Sequence, residues 1–211
     1  MKWLVAAVLV GGLWFFGLGP LLSAHKPSAP TAQTRLAAQA EVPRSTDDRI
    51  FLTASERTKA ASLPIYPPDI RSLLNVRKRM RYGEFVWNDR SIPPGPLTIR
   101  VNLTSQLLSV YRGGHEIGTA VILYGADEKE TPLGEFPILA KMRRHRSATY
   151  DANMPFTLRL TNDGISIHGS DVRWGYATHG CIGLPLPFAE KLFDVAVQGD
   201  KVAIVAPAKA V

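Results

Sequence analysis

Only one cysteine, Cys181, occurs in the 211 residues, so no internal disulfide can form. Charge is missing from the N-terminus: after Met1-Lys2 no Asp, Glu, Lys or Arg appears between Trp3 and Ala24. A run this long and apolar reads as an export segment, and the opposing reading, a buried soluble helix, is weakened by Gly11-Gly12 and Gly17-Leu18-Gly19-Pro20. Leu22-Ser23-Ala24 places a large side chain where a signal cleavage site prefers a small one, and the length approaches the roughly 20 residues that span a bilayer. Residues 1–24 are therefore either a cleaved signal peptide or a retained inner-membrane anchor. Under both readings the rest of the chain ends up outside the cytoplasm. An exported protein meets an oxidising compartment in which cysteines are normally paired, so a lone Cys181 is either an inert buried thiol or a functional one.

Acidic residues are outnumbered, 18 against 25 Lys and Arg, for a net charge of +7. The densest basic runs are Arg77-Lys78-Arg79 with Arg81, and Arg143-Arg144-His145-Arg146. Export argues against nucleic acid as the partner; what remains is a solvated face or attraction to anionic lipid headgroups and cell-wall polymers.

Large apolar residues are scarce from 25 to 45, where Pro, Ala, Ser and Gln dominate, so this stretch cannot bury a core and reads as a linker. Residues 25–94 as a whole are read as this linker followed by a basic, partly helical segment. Ser45-Thr46-Asp47-Asp48 suits the cap of a short helix through Ile50-Phe51-Leu52, and Pro67-Pro68-Asp69 that of another through Ile70, Leu73, Leu74 and Val76. From Leu97 the pattern becomes alternating, at 97–102, 106–111 and 116–123, with a hairpin turn at Arg112-Gly113-Gly114-His115. Further strands are expected at 136–141, 157–160, 165–168 and 202–205, and a helix at 187–197. The fold class is thus mainly β: a compact domain over 95–206 with one or two short helices, without internal repeat, followed by a tail at 207–211. The polar loop from Gly125 to Thr131 reads as a solvent-exposed turn.

The only cysteine stands close in sequence to two histidines: Gly164-Ile165-Ser166-Ile167-His168-Gly169-Ser170 precedes Thr178-His179-Gly180-Cys181-Ile182-Gly183-Leu184-Pro185. A free thiol of pKa about 8.5 is mostly protonated at neutral pH, and a neighbouring imidazole can accept its proton and hold the thiolate as an ion pair. Gly180 permits a tight turn that aims consecutive N–H groups at a developing oxyanion. His25, His115 and His145 read as surface or satisfied core histidines.

This arrangement resembles the catalytic signature of the L,D-transpeptidases, the YkuD-type domain family, in which a His-Gly precedes a Ser/Thr-His-Gly-Cys. The resemblance extends from about Leu97 to Val205. It includes an upstream Thr-Pro-x-Gly-x-Phe at Thr131-Pro132-Leu133-Gly134-Glu135-Phe136, and the segment from His145-Arg146-Ser147 to Met154-Pro155-Phe156 resembles a Gram-negative subgroup. The resemblance implies a YkuD-like fold and a peptidoglycan L,D-transpeptidase activity: Cys181 attacks an amide carbonyl of a donor stem peptide, a thioester forms, and the terminal D-residue leaves. It implies His168 as base, the Gly169 carbonyl as the group that orients its ring, and the amides of His179, Gly180 and Cys181 as the oxyanion hole. His179 and Thr178 support the loop. Peptidoglycan stem peptides are the partners, and neither a metal nor an organic cofactor is expected, since the protein supplies nucleophile, base and oxyanion donors. The family's cysteine is also acylated by carbapenems.

One position departs from the pattern. The family commonly follows the Cys-Ile or Cys-Val pair with an arginine that helps hold a substrate carboxylate, and this chain has Gly183. Arg173, in the loop between His168 and Cys181, or Arg159 is a candidate replacement. Tyr150, Met154, Phe156, Trp174 and Tyr176 are candidates to wall a substrate cleft, against a simpler role in packing. Two rival functions remain open: an L,D-carboxypeptidase or endopeptidase that uses water as acceptor, and a non-catalytic wall-binding module.

Overall fold

The computed structural model describes residues 48–125, 129–147 and 149–206. The export segment, the whole 25–45 linker on to residue 47, and the 207–211 tail lie outside the described residues. The chain enters at strand β1 (Arg49–Phe51), passes through helix α1 (Ala54–Ala61) and returns as β2 (Ser72–Leu74) and β3 (Phe85–Trp87). There follow β4 (Leu97–Asn102), β5 (Leu107–Arg112), β6 (His115–Val121), β7 (Gly134–Pro137), β8 (Ala140–Met142), β9 (Thr157–Arg159), β10 (Ser166–Ser170) and β11 (Ile182–Pro185). Helix α2 (Leu186–Val195) and β12 (Lys201–Val205) complete the described fold.

Two sheets result. The larger runs β1-β2-β6-β5-β4-β12-β7, with β3 also paired to β6; the smaller runs β11-β10-β9-β8. In β4, residues 97, 99 and 101 are buried and 98, 100 and 102 are not, the two-residue period of a strand with one face on a core. The hairpin from β5 to β6 turns through Gly113 and Gly114, both at positive φ, 55° and 79°, as a two-residue turn matched to strand twist requires. Ile99, Val101, Leu108, Val110 and Ile204 of the large sheet, Leu158, Ile167, Ile182 and Leu184 of the small one, and Phe188 and Leu192 of α2 form one buried core. Each such side chain stabilises the fold by about 1.5–3 kcal/mol relative to exposure. Phe188 is fully buried and meets Phe85 and Trp87 edge to face.

Residues 48–94 carry more sheet than the sequence suggested. The two segments expected as helices, around Ile50 and Leu73, are the strands β1 and β2. The reason is tertiary: the buried Arg49 guanidinium donates to Ser72 Oγ at 3.0 Å, to the Glu116 carbonyl at 2.6 Å and to the Asn88 carbonyl at 2.9 Å, so one side chain ties together β1, β2, β6 and the segment after β3. The helix of this region is α1, opened by a reciprocal bond pair between Thr53 and Glu56. No helix of the described residues is long and apolar enough to cross a membrane.

Candidate active site

Strands β10 and β11 run parallel, with Ile167 opposite Ile182 and His168 opposite Gly183. Adjacent strands lie about 4.8 Å apart, so this register sets the buried His168 beside the turn that ends in Cys181. His168 Nδ1 lies 3.0 Å from the Gly169 carbonyl. A carbonyl only accepts, so Nδ1 carries the proton and Nε2 is left as a proton acceptor. Gly169 is fixed in turn: its N–H donates to the Pro155 carbonyl at 2.8 Å, and a Cβ there would stand 2.8 Å from Leu186 Cδ1.

Cys181 sits between backbone groups of the strand it faces. Its thiol points toward the Gly164 carbonyl at 3.9 Å. Burial pushes its pKa above the ordinary 9.0, opposed by a hydrogen bond from the Ser166 backbone and by the charge of Lys129, while Asp163 adds to the rise. Burial also holds His168 below the ordinary 6.5, opposed by the bond to Gly169 and reinforced by His145. Both groups are thereby pushed toward their neutral forms, a thiol beside a neutral imidazole. Both directions work against the thiolate–imidazolium pairing expected from the sequence, and desolvation is the cause.

The turn before Cys181 hangs on residues outside the signature. Gly180 has φ of 93°. The Thr178 N–H donates to the Tyr124 carbonyl at 3.1 Å, and Leu123 and Gly183 exchange two backbone bonds. The Thr178 hydroxyl donates to the Cys181 carbonyl, while the Thr131 hydroxyl donates to the Gly180 carbonyl at 3.0 Å and accepts the Gly125 N–H at 2.8 Å. Gly125 is packed so closely that an added Cβ would lie 2.5 Å from Gly180 N. The 125–131 loop, expected as an exposed turn, thus has Gly125 and Thr131 buried against the cysteine turn. The N–H groups of His179, Gly180 and Cys181 donate to no backbone carbonyl of the described residues.

A cavity of about 370 Å³ opens over the pair, lined by Cys181, His168, His179, Thr178, Tyr150 and Met154 among others. Tyr150 stacks on His179 with ring centroids 4.2 Å apart. The wall carrying Tyr150 and Met154 is a folded-back segment: Met154 N–H donates to the His145 carbonyl at 2.8 Å and Arg146 pairs with Asp151 at 2.6 Å. Two candidate substrate residues lie elsewhere. Arg173 is exposed and donates to Asp171 Oδ1 at 2.8 Å; Trp174 is 80% exposed and meets Tyr82 edge to face. Neither lines the cavity. Arg159 and Tyr176 are also outside it, and Phe156 packs toward Phe193 of α2.

Sequence reasoning missed Lys129, Asp163, Gly125 and the role of Thr131. Thr131 alone had a signal, its place in the Thr-Pro-x-Gly-x-Phe segment. A larger cavity, about 630 Å³, lies on the other face of the large sheet, among Arg100, Ser109, Tyr111 and Glu116. It contains neither the thiol nor His168, so the cysteine cavity is the one with reactive groups. No cluster of three or more metal-ligating His, Cys, Asp or Glu side chains occurs among the described residues.

Fold and site together define a mainly β protein with a cysteine–histidine cleft built on a parallel strand pair. The family model of the L,D-transpeptidase catalytic domain, YkuD, matches residues 96–204, just over half of the chain, and the chain belongs to that family. Among solved structures it is similar to an L,D-transpeptidase from Stackebrandtia nassauensis, at 24% identity and TM-score 0.50, over 56% of this chain and 60% of that one. It is also similar to an L,D-transpeptidase from Mycobacterium smegmatis, at 21% identity and TM-score 0.49 over 53% and 59%. L,D-transpeptidase 3 from Mycobacterium tuberculosis, in complex with a faropenem-derived adduct, matches at 22% and 0.47 over 52% and 60%. The chain therefore spans about 60% of the length of these relatives. No curated protein matches it.

Proposed function

We propose that this protein is a peptidoglycan L,D-transpeptidase in which Cys181 is the nucleophile and His168 the base. The observation that carries the reading is the tautomer of His168: with Nδ1–H held by the Gly169 carbonyl, Nε2 is the free acceptor in the same cavity as the thiol. Sγ attacks the donor amide carbonyl as its proton passes to Nε2. The oxyanion then faces the amides of the 179–181 turn, which have no carbonyl partner among the described residues. His168 returns the proton to the departing amine of the terminal D-residue, and a thioester remains. An acceptor amine attacks the thioester, His168 takes its proton, and collapse of the second tetrahedral intermediate restores the thiol. Nucleophile, base and oxyanion donors all belong to the chain, so the reaction needs no metal or organic cofactor.

The uncharged run from Trp3 to Ala24 supports export to the periplasm, where peptidoglycan is accessible, by a signal peptide or an inner-membrane anchor. The resemblance of the segment from His145-Arg146-Ser147 to Met154-Pro155-Phe156 to a Gram-negative subgroup supports that assignment. The test is incubation of the full-length protein with purified muropeptides. Cross-linked dimers, lost in Cys181→Ala, are expected; trimmed monomers without dimers would replace transpeptidation by hydrolysis.

A further inference from the structure

The family's arginine after the cysteine has no counterpart here, and the position it would take is tightly packed. Gly183 is buried, and a Cβ at this position would stand 3.0 Å from Ser170 Cβ and 3.4 Å from Leu123 Cβ. No charged side chain enters the cleft from that point. Arg173 is turned out toward Asp171, and Arg159 lies outside the cavity lining.

The cleft nevertheless has a cation. Apart from histidines, the charged side chains among the described residues of its lining are Lys129 and Asp163. The Lys129 stem passes along the cysteine turn, with Cγ 3.3 Å from where a Gly180 Cβ would stand. Its ammonium lies 4.0 Å from Asp163 Oδ2, at the limit of an ion pair, with the two side chains 41% and 67% exposed. A pair this long and open contributes little and gives way easily to a better partner. When Lys129 leaves, Asp163 stays solvated, so no charge is stranded.

We infer that Lys129 is the specificity residue that binds the terminal carboxylate of the donor stem peptide, exchanging Asp163 for it as the donor enters. The assignment rests on the acyl-transfer reading for the nature of the donor and adds the group that recognises it. The reacting amide and the departing residue's carboxylate are close in any peptide that ends in a D-amino acid. A cation on the rim next to the cysteine turn meets that carboxylate while the carbonyl faces Sγ. Lysine suits an open rim: a compact charge with three donors on a flexible stem follows a carboxylate that an arginine fork would have to meet in one plane.

The test separates recognition from chemistry. Binding is measured by calorimetry on full-length protein carrying Cys181→Ala, with a stem tetrapeptide ending in D-alanine and with the same peptide as its C-terminal amide. Adding Lys129→Ala weakens binding of the free carboxylate by about tenfold, the scale of one charged hydrogen bond, and leaves the amide unchanged. Lys129→Arg keeps the preference for the carboxylate, Lys129→Gln loses it, and Arg173→Ala keeps it. Equal losses for both peptides, or no loss for either, would overturn the inference. Because the thiol is absent, a failure of acyl transfer appears only in the muropeptide cross-linking assay and is read separately.

Discussion

Thr131 holds Gly180 from below: its buried hydroxyl donates to the Gly180 carbonyl while accepting the Gly125 N–H. The residue before the nucleophile is thus positioned by a side chain 49 residues upstream on a different loop, which joins the two halves of the signature. Thr131→Val keeps the shape and removes both bonds, leaving a buried carbonyl and a buried N–H unpaired. We expect a stability loss of about 2 kcal/mol. Acylation of Cys181 falls by roughly 10–100-fold, since a small displacement of oxyanion donors has a large effect on rate. Denaturant melts and adduct-formation rates on the same preparation check both.

The protonation states predict a particular pH profile. His168 lies below 6.5 and Cys181 above 9.0, each because of burial. Base catalysis needs neutral His168, so acylation rises with pH through a midpoint below 6.5 and then stays level across neutrality. Ultraviolet thiolate absorbance, read as the difference between the wild type and Cys181→Ala so that tyrosinate cancels, appears only in the alkaline range above 9.0; thiolate at pH 7 would contradict the neutral pair. The linkage has the matching sign. The unfolded chain binds a proton at His168 more readily than the folded one, so this contribution to stability is present above 6.5 and is lost as pH falls toward the lowered folded value.

Lys141 closes the C-terminal end of α2. Its ammonium donates to the Phe193 carbonyl at 2.6 Å and to the Ala196 carbonyl at 2.5 Å, and lies 4.5 Å from the Phe193 ring centroid. These carbonyls belong to the end of the helix, where acceptors lack intrahelical partners and a cation is favoured. Lys141→Met removes the donor and keeps the stem. A loss of about 2 kcal/mol is expected, lowering Tm by roughly 4–8 °C in a chain of this size, with the carbapenem acylation rate unchanged.

How much of this was legible depended on whether local pattern or distant contact decided each element. β4 has the expected bounds because strict alternation over 97–102 matches its burial, and Gly113-Gly114 located the β5–β6 turn. The helix expected at 187–197 is α2 at Leu186–Val195. β1 and β2 were read as helices because three-residue strands carry almost no periodicity and their pairing depends on Arg49, whose partners are distant in sequence. α1 was missed although its Thr53 and Glu56 are a readable capping signal. β11 was missed because Gly183 and Pro185 weaken a strand reading and its partner β10 lies across a loop.

At the site, Cys181, His168 and Gly169 were legible because one short motif holds them, and the structure brings all three to one strand pair. Lys129 was not, since only the packing of Gly125 and Lys129 against Gly180 brings it to the cleft. Arg173 was favoured by its nearness in sequence, yet Asp171, two residues away, engages it on the outside of the loop.

The central claim is that Cys181 is an activated nucleophile beside an oxyanion hole. Intact-mass spectrometry of the full-length protein with a carbapenem tests it most directly, with Cys181→Ala run in parallel. The account predicts one covalent adduct on the wild type, mapping to Cys181 and absent from the variant. A wild-type protein that stays unmodified would contradict it and leave the wall-binding reading in its place.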